Sequence, residues 1–192
     1  MNSIGVNTTE LFTERSLESM GVIKNTQTTN ESVTDQQFLL KLKVLLRKSQ
    51  LLKNNNNKQQ AVIFDIDGTL VYEHTWSNPI WSVINFCNYC KEIGIATIIV
   101  TARPAWDKNI ELTKNALKKL GLNCDLFFFR KPDYEDLNNF KLSTRAYIST
   151  CENYNVLMSI GDNVWDIGEY GGTGILMKTT PYTNKIEYSI HD

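Results

Sequence analysis

The run Ala61-Val62-Ile63-Phe64, four apolar residues ending at Asp65-Ile66-Asp67-Gly68, constrains this chain more than any other stretch. A short continuous apolar segment rich in strand-forming residues suits a strand buried on both faces of a sheet. Asp65 and Asp67 stand two apart, so an extended backbone puts both carboxylates on one face, and Gly68 permits a turn or close approach that a Cβ would obstruct. Two carboxylates at one strand end repel unless a cation or a shared proton offsets them, which suits a hard divalent metal such as Mg2+ and would let one acid serve as a nucleophile. An Asp-Gly turn carrying two solvated acids satisfies the same residues, so the rest of the chain has to decide.

With 192 residues the chain can build one well-buried domain, and a net charge of −1 supplies no overall field for nucleic acid or an anionic membrane. The one local patch lies between Gln36 and Phe64, where no acid occurs and Lys41, Lys43, Arg47, Lys48, Lys53 and Lys58 are all basic. A helix from Gln36 to about Lys53, capped by Thr34 or Asp35, would carry a broad apolar face of Phe38, Leu39, Leu42, Leu45, Leu46 and Leu52. Leu40, Val44 and Leu51 would form a second, narrower stripe. Such a helix either docks on a polyanion, membrane or partner groove, or packs on the domain with its lysines in solvent.

Residues 1–34, rich in Ser, Thr and Asn, are expected to be disordered; residues 35–58 form the basic helix and an Asn-rich linker; residues 59–192 form the main domain. On this division a chain beginning near Lys58 should fold by itself. Met1 to Phe12 lacks the basic start and apolar core of a secretory signal, so a cytoplasmic protein with reduced Cys87, Cys90, Cys124 and Cys151 is expected. Cys87 and Cys90 fall inside the helical stretch Ile80 to Ile93 and read as small buried residues rather than metal or redox ligands. No run of about twenty apolar residues is present to span a membrane.

From Ala61 onward strands and helices alternate. The predicted strands are Ala61–Ile66, Ile95–Thr101, Asp125–Phe129, Val156–Gly161 and Gly174–Lys178, and the helices between them run near Ile80–Ile93, Ala105–Leu120, Leu142–Cys151 and Val164–Tyr170. That order argues an α/β fold, a parallel sheet sandwiched by helices, and Gly94 and Gly121 fall where helices end. The tail from Thr179 to Asp192 carries no regular pattern.

In open α/β sheets ligands bind beyond the carboxyl ends of the strands. Three such ends are polar here: Asp65 and Asp67, then Thr101-Ala102-Arg103, then Gly161-Asp162-Asn163 with Asp166 four residues beyond Asp162, while Lys141 stands just before the helix after the third strand. In these residues, and in their order, the chain resembles the haloacid dehalogenase superfamily across residues 61–178. Asp65-Ile66-Asp67-Gly68-Thr69 is similar to its first motif, Thr101 to the second, Lys141 to the third, and Gly161-Asp162-Asn163-Val164-Trp165-Asp166 to the fourth.

The resemblance implies a three-layer Rossmann-like fold with a central parallel sheet. It also implies a phosphomonoester hydrolase in which Asp65 attacks phosphorus to form an aspartyl-phosphate while Asp67 protonates the leaving oxygen and then deprotonates water. The implied cofactor is Mg2+, held through Asp65, Asp67 and Asp162 with Asp166 as a further ligand or a partner of one. Phosphoryl contacts fall to Gly68, Thr101, Ala102 and Lys141. An acid two residues after the nucleophile separates phosphatases from dehalogenases. The intervals Asp67 to Thr101 and Thr101 to Lys141 leave no room for a large cap domain, so an open site is expected. Thr101-Ala102-Arg103-Pro104 and Phe129-Arg130 most resemble the capless, acid-phosphatase-like group.

Tyr72, His74, Trp76 and Trp81 follow the first motif, where a flap could stack a nucleobase or simply pack on the first helix, and Arg103 and Arg130 are further candidates for substrate contact. Small phosphomonoesters such as nucleoside monophosphates are the expected substrates, because the domain after residue 60 carries more acids than bases. The alternatives are a phosphatase of nucleic-acid ends, drawing on Lys41 to Lys58 with Arg103, Arg130, Lys131 and Arg145, a phosphoprotein phosphatase, or a non-catalytic phosphate-binding scaffold.

Overall fold

Apolar runs bounded by polar ends become the strands of a single seven-stranded sheet. The computed structural model describes residues 31–53, 57–72, 75–134, 136–179 and 185–192; the predicted disordered segment up to residue 30 and the candidate His74 lie outside the described residues. In chain order the elements are β1 (Glu31–Thr34), α1 (Asp35–Leu52), β2 (Gln59–Phe64), α2 (Trp81–Glu92), β3 (Ala96–Pro104) and α3 (Asp107–Lys119). They continue with β4 (Leu126–Arg130), α4 (Leu137–Thr150), β5 (Tyr154–Gly161), a 3-10 turn (Val164–Asp166), β6 (Thr173–Thr179) and β7 (Lys185–His191). The strand order is β1-β7-β6-β5-β2-β3-β4.

The five strands from β6 to β4 are parallel, and β7 and β1 join antiparallel at one edge. The sheet is therefore Rossmann-like and mixed. No cap domain occurs among the described residues. Chain order reverses direction between β2 and β5, which opens a crevice at their carboxyl ends.

Alternation along the central strands divides the core. Val62 and Phe64 of β2 and Ile99 of β3 face α1, α2 and Leu117 of α3, whereas Ala61, Ile63, Ile98 and Val100 face Ile148 of α4. Cys87, Cys90 and Cys124 are buried on the first side, and Cys151 is exposed.

Four departures from the sequence reading have physical causes. First, α1 is packed into the same core as residues 59–192 rather than set apart from them. Phe38, Leu42 and Leu46 are fully buried in the same cluster as β2 and β5, Asp35 accepts the Ser82 backbone N–H, and Ser49 bonds Thr173. Its basic residues sit on the outer side, with Lys43 over the Tyr89 ring and Lys41 paired to Glu31, while Leu40, Leu51 and Leu52 are exposed. Second, residues 31–34 form an edge strand, because β7 offers an unpaired edge and Thr34 then caps α1 in a capping box with Gln37.

Third, the tail read as patternless supplies β7, whose Ile186 and Tyr188 are buried while Lys185 and Glu187 are exposed. Fourth, α4 starts at Leu137, five residues earlier than expected, because the Asp136 side chain caps it by accepting the Asn139 N–H. The predicted helix Val164–Tyr170 is a single 3-10 turn. None of the helices among the described residues is long and apolar enough to cross a membrane.

Candidate functional site

β2 ends in the crevice, and its last turn is closed by Gly68 N–H to Val71 O and by the amides of Leu70 and Val71 to Ile66 O. Burial of Ile66, Leu70 and Val71 anchors that turn in the core. Gly68 has φ of +75°, and a Cβ there would lie 2.4 Å from Oδ2 of Asp162, so glycine is required both for the turn and for the approach of the two strand ends. At the end of β5, Gly161 leaves room for the segment that follows to fold back, since a Cβ there would strike Asp166 at 2.1 Å. The 3-10 turn then brings Asp166 back under Asn163, whose N–H donates to Asp166 Oδ2 at 3.0 Å.

Carboxylate oxygens of Asp65, Asp162 and Asp166 come within 4.8 Å of one another. Lys141 on α4 reaches into the same place: Nζ lies 2.5 Å from Asp65 Oδ1, 2.5 Å from Asp166 Oδ1 and 2.6 Å from the Val100 carbonyl. With all three acids ionised, three carboxylates against one ammonium would leave two negative charges in the crevice. An all-oxygen donor set with that surplus suits a hard divalent cation, so these three acids could hold one.

The titration behaviour follows the same crowding. Burial, helped by the Asp166 charge and opposed by Lys141, pushes the Asp65 carboxyl up to about 7. Burial likewise raises Asp162, with Asp65 adding to it, and raises Asp166 against the pull of Lys141. Desolvation alone would lower Lys141, but Asp65 and Asp166 outweigh it and hold its ammonium above the usual range.

Around these groups lies a cleft of about 420 Å³ bordered by Asp67, Gly68, Tyr72, Ala102, Trp165 and Lys178 in addition to the acids. Thr101, next to Ala102 in the chain, is fully buried and does not border the cleft, and its Oγ1 accepts the Arg103 N–H at 3.2 Å. Asp67 stands outside the acidic trio: its carboxylate takes a bidentate pair from Arg103, Nε at 2.8 Å and Nη2 at 2.6 Å.

Arg103, Trp76 and Arg130, read from sequence as candidate substrate contacts, do not border this cleft among the described residues. Arg103 packs on the Trp76 ring at 4.3 Å, and Arg130 donates to the carbonyls of Ala102, Pro132 and Tyr134. Arg145, counted among possible phosphate-track residues, is buried and bonds the carbonyls of Trp165 and Glu169. Trp81 starts α2 and is half exposed. Sequence reasoning passed over Trp165 and Lys178. Lys178 was findable in principle, since it ends the strand next to β5 and so must lie at the same carboxyl edge.

No protein-family model matches this chain, and no curated protein does. A chain of the solved "Structure of the Pnkp1/Rnl/Hen1 RNA repair complex" is similar to it with a TM-score of 0.55 and 19% identity, over 67% of this chain and 45% of that one. At that identity the likeness speaks to the fold, and the shared part is less than half of the other chain's length.

Proposed function

We propose that this chain is a metal-dependent phosphomonoester hydrolase of the haloacid dehalogenase superfamily, working through phosphorylated Asp65. The observation that carries the reading is Lys141, driven from α4 into contact with both Asp65 and Asp166 at the switch-point crevice, with Asp162 completing the trio. A purely structural site would not gather three acids around one buried lysine and leave two charges unmatched.

Asp65 is the nucleophile: its carboxylate attacks phosphorus as the bond to the leaving oxygen breaks, and Asp67 supplies that oxygen with a proton. Asp67 then takes a proton from the water that attacks the aspartyl-phosphate, which returns Asp65 to a carboxylate. Lys141 holds the phosphoryl oxygens as their charge redistributes, Gly68 and Ala102 keep the surrounding wall close and free of bulk, and Thr101, buried next to Ala102 in the chain, would reach a phosphoryl oxygen only through a shift of the β3 end. Bound Mg2+, held by Asp65, Asp162 and Asp166, would neutralise the surplus charge and screen the incoming phosphate.

Small phosphomonoesters such as nucleoside monophosphates fit best. The arginines available to a nucleic-acid track, Arg103, Arg130 and Arg145, are each committed to partners inside the protein. A second reading, the phosphorylated end of a nucleic acid, is favoured by one feature: a groove of about 780 Å³ along α3, bordered by Trp76, Leu112, Lys118 and Lys119. The likeness to a chain of an RNA repair complex adds to it.

Measuring kcat/KM for a mononucleotide and for matched 3′- and 5′-phosphorylated oligonucleotides, with and without Mg2+ and at two salt concentrations, tests both. We expect Mg2+-dependent turnover that Asp65→Asn abolishes, with the mononucleotide preferred. Turnover by Asp65→Asn at the wild-type rate would overturn the hydrolase reading. An oligonucleotide preference that collapses as salt rises would replace the first substrate class by the second.

A further inference from the structure

Arg103 has no part in the scheme above, yet it is fixed on three sides. Nε and Nη2 clasp the two oxygens of Asp67, the guanidinium lies over the Trp76 ring, and Nη1 faces Oγ1 of Thr113 on α3 at 3.5 Å. Thr113 is buried, and the Arg103 and Asp67 side chains are only 14% and 17% exposed, so the pair is shielded from most competing water. Ala102 and Asp67 both border the cleft and Arg103 does not, and its Nε and Nη2 are both taken by the Asp67 carboxylate.

Asp67 is carried by the turn after β2, where a short side chain can take several rotamers. A group that must give a proton to one particular oxygen needs one of them. Bidentate pairing to a planar guanidinium fixes the direction as well as the position of a carboxylate, which a lysine cannot do.

Resting on the hydrolase reading, we infer that Arg103 is a positioning residue for Asp67, with Trp76 and Thr113 as the wall that keeps the guanidinium in place. Arg103 retains its protons throughout; Asp67, a carboxylate in the resting pair, takes up one proton from solvent before the first turnover, gives it to the leaving oxygen and regains one from the attacking water. Substrates whose leaving group needs no proton should therefore be nearly indifferent to Arg103.

The experiment compares p-nitrophenyl phosphate with an alkyl phosphate in Arg103→Met and Arg103→Lys, each in the wild-type and Asp67→Asn backgrounds, with melting temperatures for all variants. Arg103→Met should lower kcat on the alkyl phosphate about 10²-fold more than on p-nitrophenyl phosphate, the scale of a misplaced catalytic group. KM should change little, Arg103→Lys should recover part of the loss, and the extra penalty should vanish in Asp67→Asn. Equal losses on the two substrates, a change confined to KM, or a penalty that persists in Asp67→Asn would overturn the assignment. The two failures are separable: a wild-type protein that hydrolyses neither substrate overturns the hydrolase reading and the positioning role with it, whereas additive melting temperatures for Arg103→Met and Asp67→Asn overturn the pairing alone.

Discussion

Removing everything before Lys58 takes away β1 and α1, and the structure lets the consequence be sized. Phe38, Leu42 and Leu46 are 0% exposed and Leu45 is 4% exposed, all within the cluster that includes Val62, Phe64 and Leu157. Burying each such side chain contributes about 1.5–3 kcal/mol, so the four together contribute roughly 6–12 kcal/mol. Allowing for a denatured chain that is already partly compact reduces this to about 4–11 kcal/mol. A domain of this size has a total stability of about 5–15 kcal/mol, so the loss is of the same order as the whole. Exposed faces of Tyr188 and Ile186, which pack on α1 in the intact protein, would add an aggregation surface. The assay is urea unfolding followed by circular dichroism and tryptophan fluorescence on residues 31–192 and 58–192. The shorter chain should be insoluble or lack a cooperative transition. If it unfolds cooperatively with a midpoint within about 0.5 M of the longer chain, roughly 1 kcal/mol, then α1 is an accessory and the reasoning from burial fails.

Two further outcomes follow from the acidic crevice. Gly68→Ala should cost about 1–2 kcal/mol in backbone strain and, by driving its Cβ against Asp162, should weaken Mg2+ binding by titration calorimetry; unchanged affinity and melting temperature would show that the strand ends can separate at no cost. In the metal-free protein the Asp65 carboxyl holds its proton up to about 7 while the unfolded chain releases it near pH 4, so folded stability should fall as pH rises across that window and level off above it. Denaturant midpoints measured across the window check this, and Asp65→Asn should flatten the slope; a midpoint that rises with pH and is unaffected by that substitution would contradict the burial argument.

Much of the architecture was legible in the chain itself because it depends on local periodicity. Buried parallel strands read as apolar runs, amphipathic helices as 3.6-residue patterns, and the segments from Gln59 to Thr179 appear in the structure in the predicted order. The acids at the ends of β2 and β5 were visible for the same reason, since a strand's carboxyl end is a sequence position before it is a place.

Tertiary structure alone decided which distant residues meet. β7 alternates Ile186, Tyr188 and Ile190 with polar residues, a weak signal until β6 offers an edge to pair with. The apolar face of α1 could have met a partner or the domain, and the complementary surface of β2, β5 and β7 settled it. Arg103 could have faced substrate, solvent or any nearby acid. Its bond to Asp67, thirty-six residues away in the chain, exists because β2 and β3 pair side by side and bring their carboxyl ends together, so that a charge's partner is set by strand pairing and not by the residues flanking it.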